Sequence, residues 1–422
     1  MLAHIEIPYG RSSLTLNTGD FDADFTVLQP PSDSHREIGR EEVLTALENP
    51  IGAPSPNNVI DSDMKLCIVT SDGTRPFLPM RLMLHALLEH LGDIPADTTV
   101  ITGSGTHQPH TDNELDDLFG RDLRDRLKII PHDCRSKEDN VQVGEFSDGM
   151  PLRMNKYYVG ADYRIVLGHI EPHFFTGFTG GPKGIAPAVC DMDTINYIHS
   201  FKVIADAGST FGRLDNNPSR DLICEAAAAA PPTFLMNAVL NRKQKPIAIY
   251  CGDYLKAHEQ GMKLSREISG IAVNKRFPIV IISNSGWPLD QNLYQTVKGI
   301  NLAAEIVEPG GVIIIVSECS QGIPDGGNFG ILLNSDKNNE TLLHELSNEK
   351  DNICDRWQVQ RLLQILKKAI VILVSDLDSA TIEKCRLQTA DSIESAIKKA
   401  LPLTGNKEIA VVPDGPQVFF VH

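Results

Sequence analysis

The chain has 422 residues, 41% of them hydrophobic and 22% charged, with a formal net charge of −16 from 55 acidic against 39 basic side chains. That length exceeds what one core holds comfortably, so two domains are expected. The acidic balance argues against nucleic acid, which needs a basic face to displace counterions, and no apolar run reaches the roughly 18 residues of a membrane span.

Residues 4–28 alternate apolar and polar, as in His4-Ile5-Glu6-Ile7 and Leu14-Thr15-Leu16, and predict a small hairpin. The first ten residues show neither a basic nor an apolar signal region. Eight cysteines without a CxxC pair read as reduced thiols, which suits a cytoplasmic protein. Arg36 to Leu47 has helical spacing, and the segment from Pro50 to Pro56 reads as a loop. From Lys65 onward the pattern becomes strand, loop, helix. Leu66 to Val69 predicts a buried strand, SDGTRP (71–76) its exit loop and Leu78 to Leu91 a helix. Thr99 to Ile101 predicts the next strand, GSGTHQPH (103–110) its exit loop and Asp112 to Phe119 a helix.

A third strand, Arg164 to Leu167, runs into GHIEPHFFTGFTGGPKG (168–184). Here Gly177, Gly180, Gly181 and Gly184 permit positive φ or close approach. With Lys183 and a following helix-like segment, they suggest an anion cradle. The spacing is neither a Walker nor a dinucleotide motif, and a glycine-rich surface loop would look similar. His169, His173 and His199 lie around it. Three strand ends with polar loops are expected to converge, since ligands bind at that edge of parallel sheets. In the first loop Asp72 can orient a histidine and Arg75 can bind a carboxylate, although a polar helix-capping turn is the plainer reading. In the second loop His107, nearer the strand end, is the better candidate. His110 reads as a surface residue or a helix cap.

Asp215 to Ala230 predicts a helix, Thr233 to Val239 and Pro246 to Tyr250 strands, and Tyr254 to Ile268 a closing helix. A fresh series begins at Phe277. Its strands are expected at Ile279–Ile282, Val312–Val316, Ala369–Val374 and Ile409–Val412. Its helices are expected at Gln291–Val307, Thr341–Leu346, Gln358–Lys368 and Ser392–Ala400. The expectation is an α/β protein of two α/β domains, residues 1–272 and 273–422, with the cofactor and active-site cleft between them. Gln295 and Lys298 share a helix face, which is ordinarily solvated. Trp357 suits a core as well as a site.

Taken together, SDGTRP, GSGTH, GHIEPHFFTGFTGGPK, His199, the Gln295/Lys298 pair and Trp357 resemble, in order and over nearly the whole chain, the nickel-dependent lactate racemase family. Pro182 and Ala188 depart from the residues usual there. The resemblance implies a racemase or epimerase of lactate or a related 2-hydroxy acid. It also implies a nickel-pincer nucleotide, a pyridinium mononucleotide whose two sulfur arms hold nickel, supplied by cofactor-synthesis proteins. On that resemblance Lys183 carries the tether, His199 completes the nickel coordination, and Gly180, Gly181, Asp72 and Thr74 surround the cofactor. His107 and His173 alternate as acid and base, and Arg75, Gln295 and Lys298 grip the substrate. Two other classes remain on the residues alone. One is a zinc hydrolase using His169, His173 and His199, for which the HExxH glutamate is missing. The other is a noncatalytic cofactor-binding protein.

Overall fold

The computed structural model describes residues 4–31, 34–72, 79–324, 327–348 and 353–421. The expected site residues Thr74 and Arg75 lie outside the described residues. The chain divides into two compact units. One comprises Ser32–His199 with Arg213–Ile268, the other Met1–Pro31, Ser200–Gly212 and Ser269–His422.

In the first unit a six-stranded sheet has the order Pro246–Gly252, Phe234–Leu240, Tyr163–Ile170, Lys65–Ser71, Asp97–Gly103, Lys128–Pro131. The pairs from Phe234–Leu240 to Lys128–Pro131 are parallel, and only Pro246–Gly252 runs antiparallel. Alternate residues sort to the two faces, as the period of a strand requires. Leu66, Ile68, Ile165, Leu167 and Met236 join Met83, Leu84 and Leu87 of the helix Met80–Leu91 in one core. The opposite face carries Val69 and Val166 and is covered by the segment after Gly180. A Cβ on Gly184 would stand 2.5 Å from Val166 Cγ1, and one on Gly103 would stand 2.9 Å from Ala188 Cβ.

The strand expected at 164–167 continues to Ile170, past Gly168 and through His169. Backbone pairing to Phe234–Leu240 extends that far and overrides the local break a glycine suggests. The helix Asp112–Phe119 has the expected bounds. Thr111 is its cap, with Glu114 donating its N–H to the Thr111 hydroxyl and returning its carboxylate to the Thr111 N–H. The hairpin Asn140–Glu145/Pro151–Asn155 has no strong periodic signal, whereas the helix-like segment expected after Lys183 is the short helix Met192–Ile198.

The second unit holds an all-parallel sheet in the order Gln388–Ala390, Ile370–Val374, Val307–Val316, Phe277–Ser283, Glu408–Val412, Asp24–Val27. Its central strands are apolar on both faces, as burial between helices demands. The chain division thus differs from a boundary at residue 272. Asp24–Val27 pairs in parallel with Glu408–Val411, and Ile5, Ile7 and Leu16 of the N-terminal hairpin lie in the same core as Ile279, Ile281 and Ile397.

Candidate active site

Strands Lys65–Ser71, Asp97–Gly103 and Tyr163–Ile170 are parallel neighbours, so their C-terminal loops leave one edge of one sheet. Asp72 is the first residue past its strand, and His107 lies in a turn whose N–H donates to the Ser104 carbonyl at 3.0 Å. The two meet: His107 Nδ1–H donates to Asp72 Oδ2 at 2.5 Å, with the carboxylate nearly buried and the imidazole 48% exposed. A carboxylate accepts only, so the proton is fixed on Nδ1 and, in the neutral ring, Nε2 presents the lone pair. His110 is not a cap. Its Nδ1 lies 3.4 Å from the Thr102 hydroxyl.

The glycine-rich loop is built differently from an anion cradle at a helix N-terminus. Pro172–His173 pairs with Gly177–Phe178, and Gly181–Gly184 forms a single 3₁₀ turn. The next α-helix, Met192–Ile198, starts only at the Asp191 cap. Gly177, Gly180 and Gly181 have φ of +76°, +78° and +51°, and each faces protein. A Cβ on Gly177 would meet the Arg213 carbonyl oxygen at 2.2 Å. One on Gly180 would meet Asn237 Oδ1 at 2.5 Å, and one on Gly181 would meet His258 Nδ1 at 2.3 Å. The Gly181 N–H donates to Asn237 Oδ1 at 2.8 Å, and His258 Nε2–H donates to the Thr179 carbonyl at 2.9 Å. The glycines therefore let the loop seat on buried side chains. Lys183 projects half-buried from this turn, its N–H bonded to the Gly180 carbonyl at 3.0 Å. Gly105 N–H donates to the Ala188 carbonyl at 3.2 Å, which ties the His107 loop to the same segment.

His173 stands in the short pair, with Nδ1 accepting N–H groups from Phe175 and Thr176, each at 3.2 Å. Its ring lies 6.0 Å from that of Phe175, which lies 6.3 Å from that of His199. His199 follows the helix Met192–Ile198, and its Nδ1–H donates to the Ile195 carbonyl at 2.9 Å. The buried ring then presents an Nε2 lone pair, the arrangement of a histidine metal ligand. His169 does not complete a protein-only metal cluster. It is buried with Nε2 3.0 Å from Glu171 Oε1, off the line of a hydrogen bond. Among the described residues no three His, Cys, Asp or Glu side chains are grouped to hold a metal. The expected zinc site of His169, His173 and His199 is therefore corrected: the three side chains are not grouped around one point.

In the other unit, Gln295 and Lys298 stand on the helix Leu293–Ile306, capped by Asn292. Gln295 Oε1 is buried without a hydrogen-bond partner among the described residues. Trp357 is core-buried, and its indole N–H donates to the Tyr294 hydroxyl at 3.1 Å. Gln358 Nε2 donates to the Tyr294 carbonyl at 2.6 Å, which ties a second helix to the turn that carries Gln295. No sequence signal marks Asn217, Asn237 or His258, which are buried polar residues in an otherwise ordinary cap, strand and helix.

All eight cysteines are free thiols, and no helix among the described residues is long and apolar enough to cross a membrane. A family model of the lactate racemase N-terminal domain matches residues 9–212, and one of the lactate racemase C-terminal domain matches residues 273–420. The chain is 35% identical over 425 aligned residues to a lactate racemase of Thermoanaerobacterium thermosaccharolyticum, covering 99% of each. It is 30% identical over 417 residues to a lactate racemase of Lactiplantibacillus plantarum, covering 97% of this chain and 98% of that one. The solved lactate racemase apoprotein of T. thermosaccharolyticum superposes with a TM-score of 0.92 at 32% identity, over all of both chains. A Thermotoga maritima protein shares the fold, with a TM-score of 0.70 at 18% identity, covering 92% of this chain and 100% of that one.

Proposed function

The chain belongs to the lactate racemase family, and from that premise we propose that it racemises lactate or a related 2-hydroxy acid by hydride transfer with a nickel-pincer nucleotide. The observation that carries the reading is the Asp72–His107 pair, which prepares one imidazole as a base beside the Lys183 turn. Removing the Cα proton of a 2-hydroxy acid would leave a carbanion next to a carboxylate, a poor species. Taking that hydrogen as hydride leaves a planar 2-keto acid instead, which can be reduced on either face.

The residues fit such a group. His199 offers a buried Nε2 whose ring is fixed through Nδ1, and nickel takes imidazole together with sulfur. Lys183 is an amine on a turn that Asn237 and His258 hold in place. When bound, the nucleotide supplies the hydride acceptor. The protein's own part is to hold the acid and move its hydroxyl proton. His107 takes or returns that proton for one enantiomer and His173 for the other, because the hydroxyl lies on opposite sides in the two. Arg75, Gln295 and Lys298 grip the substrate; the unsatisfied Gln295 Oε1 is the kind of atom a substrate hydroxyl would complete.

The test is isotopic. Racemising the 2-deuterio acid in ordinary water is expected to leave deuterium at Cα of the inverted product, since a carbon-bound hydride does not exchange with solvent during turnover. Proton abstraction by His107 or His173 would fill Cα with solvent hydrogen. Product mass at half-conversion decides, and wholesale loss of deuterium would overturn the hydride reading.

A further inference from the structure

The two histidines assigned to the proton are held in opposite states. His107 donates from Nδ1 to a carboxylate, so in the neutral ring its Nε2 is a lone pair. His173 accepts two backbone N–H groups at Nδ1, and a nitrogen that accepts them carries no proton. Its proton is therefore on Nε2. The imidazolium and the other tautomer would both aim Nδ1–H at the Phe175 and Thr176 N–H groups.

The turn that imposes this is fastened from outside. Asn217 Nδ2 donates to the Phe175 carbonyl at 2.8 Å and to the Arg213 carbonyl at 3.1 Å. Its Oδ1 accepts the Arg220 N–H at 3.0 Å and caps the helix Pro218–Ala229. The side chain is fully buried. Gly177 lies on the same seat, since only a residue without Cβ fits against the Arg213 carbonyl. Asn217 thus joins the helix cap, the Arg213 backbone and the peptide whose N–H fixes the His173 ring.

We propose that Asn217 is a positioning residue for His173, holding the Phe175–Thr176 turn so that His173 rests with its proton on Nε2 while His107 rests with a lone pair there. This rests on the proposed use of both histidines as proton carriers. It follows that His107 Nε2 rests ready to take the hydroxyl proton of the enantiomer that faces it. That step breaks the substrate O–H bond and leaves an imidazolium facing Asp72. For the other enantiomer His173 must first release its Nε2 proton to solvent and gain one at Nδ1, which requires the Phe175 and Thr176 N–H groups to let go of Nδ1, so proton transfer on that side is coupled to movement of the turn.

The experiment uses the full chain with nitrogen-15 in its histidines, the ring signals being assigned with His107→Gln and His173→Gln. Wild type is expected to show Nδ1–H at His107 and Nε2–H at His173. Asn217→Ser retains an oxygen to cap the helix but loses both donated bonds. It is expected to shift His173 alone toward a mixture of tautomers, and to lower kcat roughly tenfold with KM little changed. Should that variant fold poorly, Asn217→Asp keeps the volume and the cap while losing the same donors, and the same shift is expected. An Nδ1–H signal for His173 in the wild type would overturn the proposal. So would unchanged His173 signals in both Asn217 variants, which would make Asn217 a helix cap only. The ring signals do not depend on turnover, so a chain without racemase activity would sink the proposed function and still leave this test readable.

Discussion

Asp72 reaches the site by position rather than by any special motif: it is the residue at which the strand Lys65–Ser71 stops, one strand away from the loop that carries His107. Its carboxylate does two things for the imidazole. It fixes the proton on Nδ1, and it offsets the positive charge when Nε2 takes a second proton. Asp72→Asn keeps the size but removes the charge, and its amide can donate to Nδ1 and so reverse the tautomer. We expect kcat to fall about a hundredfold with a much smaller change in KM. Because the equilibrium constant of a racemisation is one, the loss in kcat/KM must be equal from either enantiomer. Initial rates measured from each enantiomer check this, and activity within about twofold of wild type would detach the pair from proton transfer. The residue pair was partly legible in the sequence. SDGTRP and GSGTH pointed to Asp72 and His107 as members of adjacent strand-end loops, whereas their contact needed the parallel strand order.

At the scale of the element, the loop from Glu171 to Gly184 was conspicuous in sequence, but the partners of its glycines were not. The side on which a Cβ would stand is taken by Arg213, Asn237 and His258. The bonds that fasten it come from partners 42, 56 and 79 residues away, and no local spacing marks those partners. One of the three titrates. Burial lowers the His258 pKa from 6.5 to about 4, partly offset by its bond to the Thr179 carbonyl. The folded chain therefore holds His258 neutral where the unfolded chain would protonate it. This stability is fully present above about pH 6.5 and is lost as pH falls toward about 4, the whole amounting to about 3 kcal/mol. Hydrogen-exchange protection factors at the Lys183 and Ile185 amides are expected to drop across that window. His258→Gln, which retains a donor for Thr179 without titrating, should flatten the dependence. Protection that is constant from pH 7 to 4.5 in the wild type would show that His258 does not hold the turn.

For the whole molecule, the alternation of strands and helices made both sheets legible, because buried parallel strands are nearly continuous apolar runs such as Ile279 to Ile282. The short edge strands Asp24–Val27 and Gln388–Ala390 were not legible, since an edge strand needs only one paired side and little apolar sequence. That gap matters for where the chain can be cut. The stretch matched by the C-terminal family model begins at residue 273, yet the sheet it contains is completed by Asp24–Val27, hydrogen-bonded alongside Glu408–Val411. Ile5, Ile7 and Leu16 are at most 5% exposed and lie in that core, and losing them would uncover side chains each worth about 1.5–3 kcal/mol. That sum is comparable to the whole stability of a domain of this size. A fragment of residues 273–422 should therefore lack a cooperative urea transition and aggregate through the strand Glu408–Val412, which would become a bare apolar edge. Joining residues 1–31 to it through a flexible linker should restore a cooperative transition, because the missing strand and the hairpin then return to the same sheet. Circular dichroism during urea titration of both fragments distinguishes the outcomes. A fragment of residues 273–422 that melts cooperatively, with a midpoint unchanged by the added segment, would mean that the N-terminal hairpin and strand only decorate this unit and do not complete it.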